Sequence, residues 1–444
     1  MENIPTLTEN ENDGIGNSEG TSSFVSLFSW ALYDWANSAF PAVIQTFIFA
    51  TYFVNSVAVN ETIGSATWGT ITGLSALVVA LLSPFLGAIA DQCGARKLWL
   101  ATFTVLCVIP TAMLWFVKPS PDYTWMALWC VGIGAIGAEG AYIFYNAMLP
   151  ELAAPSQLGR WSGWGWGMGY AGGMAALVLS LLAFINGENS WFSFETESAG
   201  AVRATFILTA LWYALFSLPL FLFTPKSPSN KKNLYQASID GMHQLWTTLK
   251  EIKRYKTIVK FLIAKVFYID GLATLFAFGG IYAASVFGME QHEVLLFGIG
   301  MNVIAGIGAA AFASLDDNIG SKKVILYSLI GMIIPGSLSL IVVEKWQFWI
   351  LGLSICLFVG PVQSSSRALM ARMSPVHMRR QMFGFYMLSG KATAFFGPLL
   401  YGWVAYLTDS LRLGMSTIIL LFILGALIML TLPGKLEHTE NTER

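Results

Sequence analysis

The sequence predicts an all-α membrane protein, twelve transmembrane helices arranged as two pseudo-symmetric halves of six. Three observations carry that prediction. Of 444 residues, 55% are hydrophobic and 11% charged, against about 45–50% and about 25% in a soluble domain. So little charge cannot cover a water-facing surface, so the solvent is lipid. Twelve apolar stretches reach the roughly 20 residues that cross a hydrocarbon core. One turn sequence occurs twice, half a chain apart.

The remaining composition excludes other classes. Lys and Arg number 25 and Asp and Glu 26, a net charge of −1; a nucleic-acid partner would need a basic surplus. Cys93, Cys107, Cys130 and Cys356 form no CxxC pair, so neither a disulfide framework nor a zinc site is expected, and no cofactor is implied. His243, His292, His377 and His438 all fall outside the apolar stretches, leaving carboxylates for any proton chemistry in the membrane.

The elements follow in order. Residues 1–23 hold Glu2, Glu9, Glu11, Asp13 and Glu19 with no Lys or Arg, an acidic tail expected to be disordered. It lacks the basic start and early apolar core of a signal peptide. The first half, 24–224, places spans near 25–55, 67–90, 98–117, 123–148, 161–186 and 203–224. A linker at 225–256 opens with Pro225, Pro228 and Ser229, then repeats Leu234, Met242, Leu245, Trp246, Leu249 and Ile252 at helical spacing. That pattern predicts an amphipathic helix on the inner leaflet. The second half, 257–432, places spans near 257–287, 292–314, 322–343, 346–370, 380–406 and 411–432, and 433–444 form a second tail.

Basic residues orient the bundle. Lys118, Arg203, Lys345 and Arg412 fall in loops on one side, Lys265 and Lys391 fall inside spans, and the remaining 19 of the 25 share the side of the termini. The positive-inside rule makes that side cytoplasmic. Compact loops favour a bacterial inner membrane. The sequon Asn60-Glu61-Thr62 lies on the other side and matters only in a eukaryotic host.

The halves repeat. Asp91-Gln-Cys-Gly94-Ala-Arg96-Lys97 follows span two, and Asp317-Asn-Ile-Gly320-Ser-Lys322-Lys323 follows span eight, 226 positions on. Pro155 and Arg160 recur as Pro375 and Arg380, and Gly132 and Gly140 as Gly352 and Gly360, all offset by 220. Such repeats place a substrate near the midplane between two halves. In these turns an Asp is suited to meet a helix N-terminus or a basic residue when the cytoplasmic side closes, and the basic pair is expected to anchor the loop at phosphate level. Asp91, Arg96, Lys97, Arg160, Asp317, Lys322, Lys323 and Arg380 are therefore the gating candidates; the plain alternative is an ordinary inside-positive turn.

Twelve spans with this turn after spans two and eight resemble the major facilitator superfamily over about residues 25–432. A narrower resemblance lies in Phe28-Ser-Trp-Ala-Leu-Tyr33-Asp34-Trp35-Ala36-Asn37-Ser38-Ala39-Phe40, in Tyr145-Asn146-Ala147-Met148-Leu149-Pro150-Glu151-Leu152, and in Arg160-Trp161-Ser162-Gly163-Trp164-Gly165-Trp166-Gly167-Met168-Gly169-Tyr170-Ala171-Gly172-Gly173. These are similar to the vacuole-effluxer-like family, whose fungal members are autophagy-related. The resemblance implies amino-acid export, by analogy with those members.

Ionisable groups inside spans are costly and mark function. Span one sets Asp34, Asn37, Ser38, Pro41 and Gln45 on one stripe, and span four aligns Glu139, Tyr142 and Asn146. Span ten aligns Gly360, Gln363, Ser364 and Arg367; span seven carries Lys265 and Asp270, and span eleven Lys391. The substrate-binding candidates are Asp34, Asn37, Gln45, Glu139, Tyr142, Asn146, Lys265, Asp270, Gln363, Arg367 and Lys391. Asp34 and Glu139 are also the proton-coupling candidates. Acids dominate the first half and bases the second, which suits a zwitterion with its ammonium toward the first half and its carboxylate toward the second. Alternatives stand beside this reading. Arg367 and Lys265 would snorkel to the interface, Asp34 would brace helices, and Asp270 would pair with Lys391. Lys265 and Asp270, about 140° apart on the helix, should not pair with each other.

Span five contains Gly167-Met-Gly169-Tyr-Ala-Gly172, but a nucleotide loop needs a preceding strand; close helix contact explains the glycines better. Trp164 and Trp166 read as interface anchors or as cavity lining. The expected function is therefore secondary active transport of an amino acid or similar zwitterion by alternating access, as proton-coupled export. The alternatives are a carrier for another metabolite or drug, or a non-transporting sensor. An enzyme is not expected, since no Gly-x-Gly-Asp protease run occurs, and no G-x-x-x-x-G-K-[ST] loop supports a pump. The expected partners are the lipid bilayer, a small-molecule substrate and protons, with no nucleic acid, and the chain is expected to be a monomer.

Overall fold

The computed structural model describes residues 23–93, 96–185, 191–192, 198–225, 234–250, 255–289, 291–391 and 393–433. Most of both tails and parts of the linker, Ile252 included, lie outside the described residues. Spans two to six are the helices Glu61–Cys93, Arg96–Met113, Thr124–Leu152, Leu158–Ser180 and Gly200–Phe223. The linker helix is Leu234–Lys250. Spans seven to ten are Lys256–Phe287, Gln291–Ile319, Ser321–Ser339 and Lys345–Met373, and span twelve is Leu411–Leu430.

Three spans depart from the continuous helices expected, span five by a π stretch over Leu181–Ile185 at its end. Span one is α-helical over Phe24–Asn37, then winds as a π-helix over Phe40–Phe47 and again over Phe53–Val57. Pro41, without an N–H, stands at the start of the first π stretch, where Ile48 N–H reaches back five residues to the Val43 carbonyl. The wider turn shifts the helical register beyond Pro41. Span eleven is two helices, Arg379–Lys391 and Phe396–Thr408. The structure thus has 11 helices long and apolar enough to cross a membrane among the described residues, and the broken pair completes twelve crossings.

Small residues let the halves touch backbone to backbone on the face where span one begins. A Cβ added to Gly384 in span eleven would lie 2.5 Å from the Ser83 carbonyl of span two, and one on Gly163 in span five 2.7 Å from the Ala309 carbonyl of span eight. No side chain fits such gaps, and this closeness is what small residues contribute to membrane packing. The repeat is visible in three dimensions as well. Gly132 of span four faces Ile71 of span two, and Gly352 of span ten faces Phe297 of span eight. The linker helix runs beside span two, with Met242 and Trp246 exposed on its surface.

Candidate functional site

Arg367 of span ten reaches across to span one. Its Nη1 lies 3.0 Å from Asp34 Oδ2, and both side chains are 1% exposed. Arg367 therefore does not snorkel. The remaining guanidinium donors are used within the same site. Nη1 also reaches Asn146 Oδ1 at 3.3 Å, Nε donates to Ser162 Oγ at 2.9 Å, and Nη2 to the Ser162 carbonyl at 2.6 Å. Ser162 in turn donates to the Ser364 carbonyl at 2.6 Å. Asp34 accepts from the hydroxyls of Tyr142 and Tyr145. The rings of Trp30, Tyr145 and Trp166 surround the guanidinium, centroids 5.0, 5.6 and 5.7 Å away. Breaking a buried pair is costly because the survivor is left uncompensated; here each ion also makes further hydrogen bonds, which support the pair as it stands.

Span five makes room for both charges. A Cβ on Gly165 would come within 2.8 Å of Arg367 Nη2, and one on Gly169 within 3.3 Å of Asp34 Oδ1.

Above the pair, away from the face where span one begins, lies a cavity of about 540 Å³. Span one lines it with Ser38, Pro41 and Thr46, span five with Trp166, Tyr170 and Met174, and span seven with Leu275 and Gly279. Span eight adds Phe297, Met301 and Asn302, and span ten adds Gln363. The volume is that of a small-molecule site, mostly apolar with a few polar groups. Gln363 donates to the Tyr170 hydroxyl at 3.3 Å. Trp166 and Gly169 belong to both the cavity wall and the shell of the ion pair, so one layer of atoms separates them.

Below the pair, the face where span one begins is held shut by acids. Asp317, at the end of span eight, accepts from the Gly159 and Arg160 backbone N–H groups at 2.7 and 2.8 Å. These are first-turn amides of span five, whose helix dipole favours an anion there. Arg372 holds Asp317 at 2.9 Å and the neighbouring Asp316 at 2.6 Å. On the other side of the pseudo-twofold axis, Glu151 pairs with Arg96 and, at 3.5 Å, with Arg380. Arg160 contributes its backbone; its side chain is exposed. The side chain of Asp91 lies outside the described residues.

Three basic residues of the repeated turns bond to backbone carbonyls of the protein. Arg96 donates to the Pro225 carbonyl at 3.2 Å and Lys97 to that of Phe221 at 3.0 Å, at the end of span six. Lys322 donates to the Leu430 carbonyl at 3.3 Å and also to that of Leu432, at the end of span twelve. In each half the turn caps the C-terminus of that half's last span, where carbonyls lack partners and cations are favoured. Lys323 is exposed.

Of the sequence-chosen substrate residues, the structure joins Asp34, Tyr142, Asn146 and Arg367 in one cluster and puts Gln363 on the cavity wall. Asn37 is buried with its Oδ1 unpartnered. Gln45 is half-buried and off the cavity wall, because the π turn presents Thr46 there in its place. Glu139 is half-buried on span four. Lys265 is buried rather than snorkelling, its ammonium 2.8 Å from the Tyr386 carbonyl and 3.9 Å above the Tyr386 ring. Asp270 accepts from Thr393 at 3.3 Å. The Lys391 side chain lies outside the described residues, so its expected pairing with Asp270 does too. Sequence reasoning missed Trp30, Ser162, Glu151, Asp316 and Arg372. Ser162, Gly165 and Gly169, spaced to share one face of span five, were the available signal for a narrow polar surface there.

A family model described as "Vacuole effluxer Atg22 like" matches residues 53–440. The "Uncharacterized MFS-type transporter YxiO" of Bacillus subtilis (strain 168) is 28% identical over 408 residues, covering 91% of this chain and 94% of that protein. "Autophagy-related protein 22" of Cryptococcus neoformans var. neoformans serotype D (strain B-3501A) is 24% identical over 300 residues, 62% of this chain and 51% of that one. The chain thus matches about half the length of that fungal relative. Among solved structures, the proton:xylose symporter XylE bound to 6-bromo-6-deoxy-D-glucose superposes with a TM-score of 0.70 at 17% identity, covering 93% of this chain and 97% of that one. The human organic anion transporter MFSD10 (TETRAN) gives 0.67 at 15%, covering 91% and 98%. These likenesses show the major facilitator fold.

Proposed function

The chain belongs to the vacuole effluxer Atg22-like family, and on that premise we propose that it carries a small amino-acid-like zwitterion across a bacterial inner membrane. It does so as a monomer by alternating access, with both termini in the cytoplasm. The observation that carries this reading is the Asp34–Arg367 ion pair, which joins the two halves directly beneath a cavity. With the termini in the cytoplasm, the cavity would lie on the outer side and the acids would hold the cytoplasmic face shut. To reverse that arrangement the halves must part, and parting strands a carboxylate on one and a guanidinium on the other. Each stranded charge is expensive in a membrane. A zwitterion compensates both at once, its ammonium at Asp34 and its carboxylate at Arg367. A proton on Asp34 or Glu139 would serve the first half in the return step. The family description names an effluxer, and export is the direction proposed.

Counterflow in proteoliposomes tests this, with a panel of labelled amino acids. Exchange of at least one amino acid is expected. Exchange of none, alongside flux of an uncharged solute, would overturn the zwitterion reading. That second reading has one observation in its favour, since the described cavity lining offers neutral polar groups such as Ser38, Asn302 and Gln363 and no ionisable side chain other than Tyr170. Binding without any flux would mark the chain as a sensor.

A further inference from the structure

Span eleven stops at Lys391 and restarts at Phe396. A break inside a membrane span frees carbonyls at the end of the first helix and amides at the start of the second, and is tolerated only where protein or a cavity meets them. Span seven meets both ends. Lys265 donates to the Tyr386 carbonyl at 2.8 Å and to the Ser389 hydroxyl at 3.3 Å, placing a cation at the negative end of the first helix. Asp270 stands at the start of the second helix. Thr393, inside the break, donates to its Oδ1 at 3.3 Å, and a Cβ on Gly397 would lie 2.8 Å from its backbone carbonyl.

Asp270 differs from Asp34 in one respect. Its side chain is as deeply buried, at 1% exposure, yet its Oδ2 has no hydrogen-bond partner. A carboxylate oxygen unpartnered in a membrane interior is costly. Among the described residues no side chain hydrogen-bonds to that oxygen. Lys265 is turned to span eleven, and Thr274 donates to the backbone carbonyl of Asp270 at 2.7 Å. From span ten, Arg367 is committed to Asp34. From the second helix of span eleven the buried titratable group is Tyr401, while Tyr406 is exposed. In span twelve the only ionisable residue is Arg412, which donates to the Leu340 carbonyl at 2.6 Å.

We propose that Asp270 and the span-eleven break hold a small monovalent cation, a proton or a sodium ion, that is coupled to transport. The unshared carboxylate oxygen, the Thr393 hydroxyl and the freed carbonyls of the broken helix are the oxygen donors a hard cation takes, and broken helices build such sites in carriers. The break also provides a route to the rest of the protein. The helix Arg379–Lys391 ends at this site and, about two turns earlier, presses Gly384 against span two of the other half. Neutralising Asp270 therefore acts on the element that closes the cytoplasmic face.

The consequence for transport rests on the function proposed above; the binding itself does not. Binding is measured on the purified full chain, with radioactive sodium in one arm and proton titration in the other. Either saturable sodium binding that Asp270→Asn abolishes, or titration of one proton per chain that Asp270→Asn removes, is the expected result. Neither signal in the unsubstituted chain overturns the proposal. Thr393→Val keeps the carboxylate and guards against a misfolded Asp270→Asn; it is expected to weaken sodium binding about fivefold or to move the titration, and an unchanged response counts against the site. In proteoliposomes, the ratio of gradient-driven to gradient-free uptake of a labelled amino-acid mixture should fall to about one in Asp270→Asn. A ratio equal to that of the unsubstituted chain overturns the coupling. Absence of amino-acid counterflow in the unsubstituted chain overturns the proposed substrate and leaves the binding result standing.

Discussion

Arg367 Nη1 and Asp34 Oδ2 are 3.0 Å apart and sealed from solvent, though 333 positions separate the two residues in the chain. One belongs to each half, so the pair is both a bond holding the halves together and a charge that must be compensated when they part.

Removing either partner leaves the other ion buried alone, which costs about 3–5 kcal/mol. Asp34→Asn and Arg367→Met are each expected to lower the melting temperature in detergent and to abolish counterflow. The double variant should be more stable than the sum of the single losses predicts. A double-mutant cycle with no coupling would mean that the contact contributes nothing.

Asp317 accepts from two backbone amides of span five and from Arg372. Asp317→Asn keeps the shape and removes the charge, weakening the closed face where span one begins by about 1–3 kcal/mol. A cysteine placed at Ser374, which is fully buried at the end of span ten, should then be labelled from that face roughly 5–150 times faster. Glu151→Gln should do less, since Glu151 is 27% exposed and its cross-half partner Arg380 stands at 3.5 Å, where solvent screens the pair.

Gly384 permits a steric test of the same face. Gly384→Val drives a side chain into the Ser83 backbone and should raise labelling of the same cysteine. Gly402→Ala, on the same span but with nothing within 4 Å of the added Cβ, should leave it unchanged. Equal labelling in the two variants would show that contact between spans two and eleven does not close this face.

Gln363 is the polar side chain of span ten on the cavity wall. Gln363→Ala is expected to raise the half-saturating substrate concentration about 5–100-fold, as for loss of a hydrogen bond in a desolvated site. Tyr170→Phe should cost less, because Gln363 keeps its other N–H donor and its carbonyl acceptor. A counterflow titration gives both values, and an unchanged Gln363→Ala would place the substrate elsewhere.

Much of the architecture was legible one residue at a time. The spans, the linker helix and the repeated turns follow from runs of apolar residues, and the glycine pair Gly132 and Gly352 keeps equivalent neighbours in three dimensions. The departures have local causes. Regular helical spacing put Gln45 on the polar face of span one, but the π turn after Pro41 puts Thr46 on the cavity. The interruption at 393–395 was hidden because apolar stretches flank it closely on both sides. Snorkelling was a fair expectation for Arg367 and Lys265 from their depth alone. Their partners, Asp34 and the Tyr386 carbonyl, lie on other helices.

By itself the sequence determined the solvent, the twelve crossings, their expected orientation and the twofold repeat. These depend on how much apolar surface each segment carries and on where charge is tolerated, quantities summed along the chain. Only the tertiary structure decided which charges meet, which acids close the face where span one begins, and that Asp270 has an oxygen without a partner. A few ångströms separate a paired ion from a stranded one in a membrane, and that distance is set by helix register and packing between segments hundreds of residues apart.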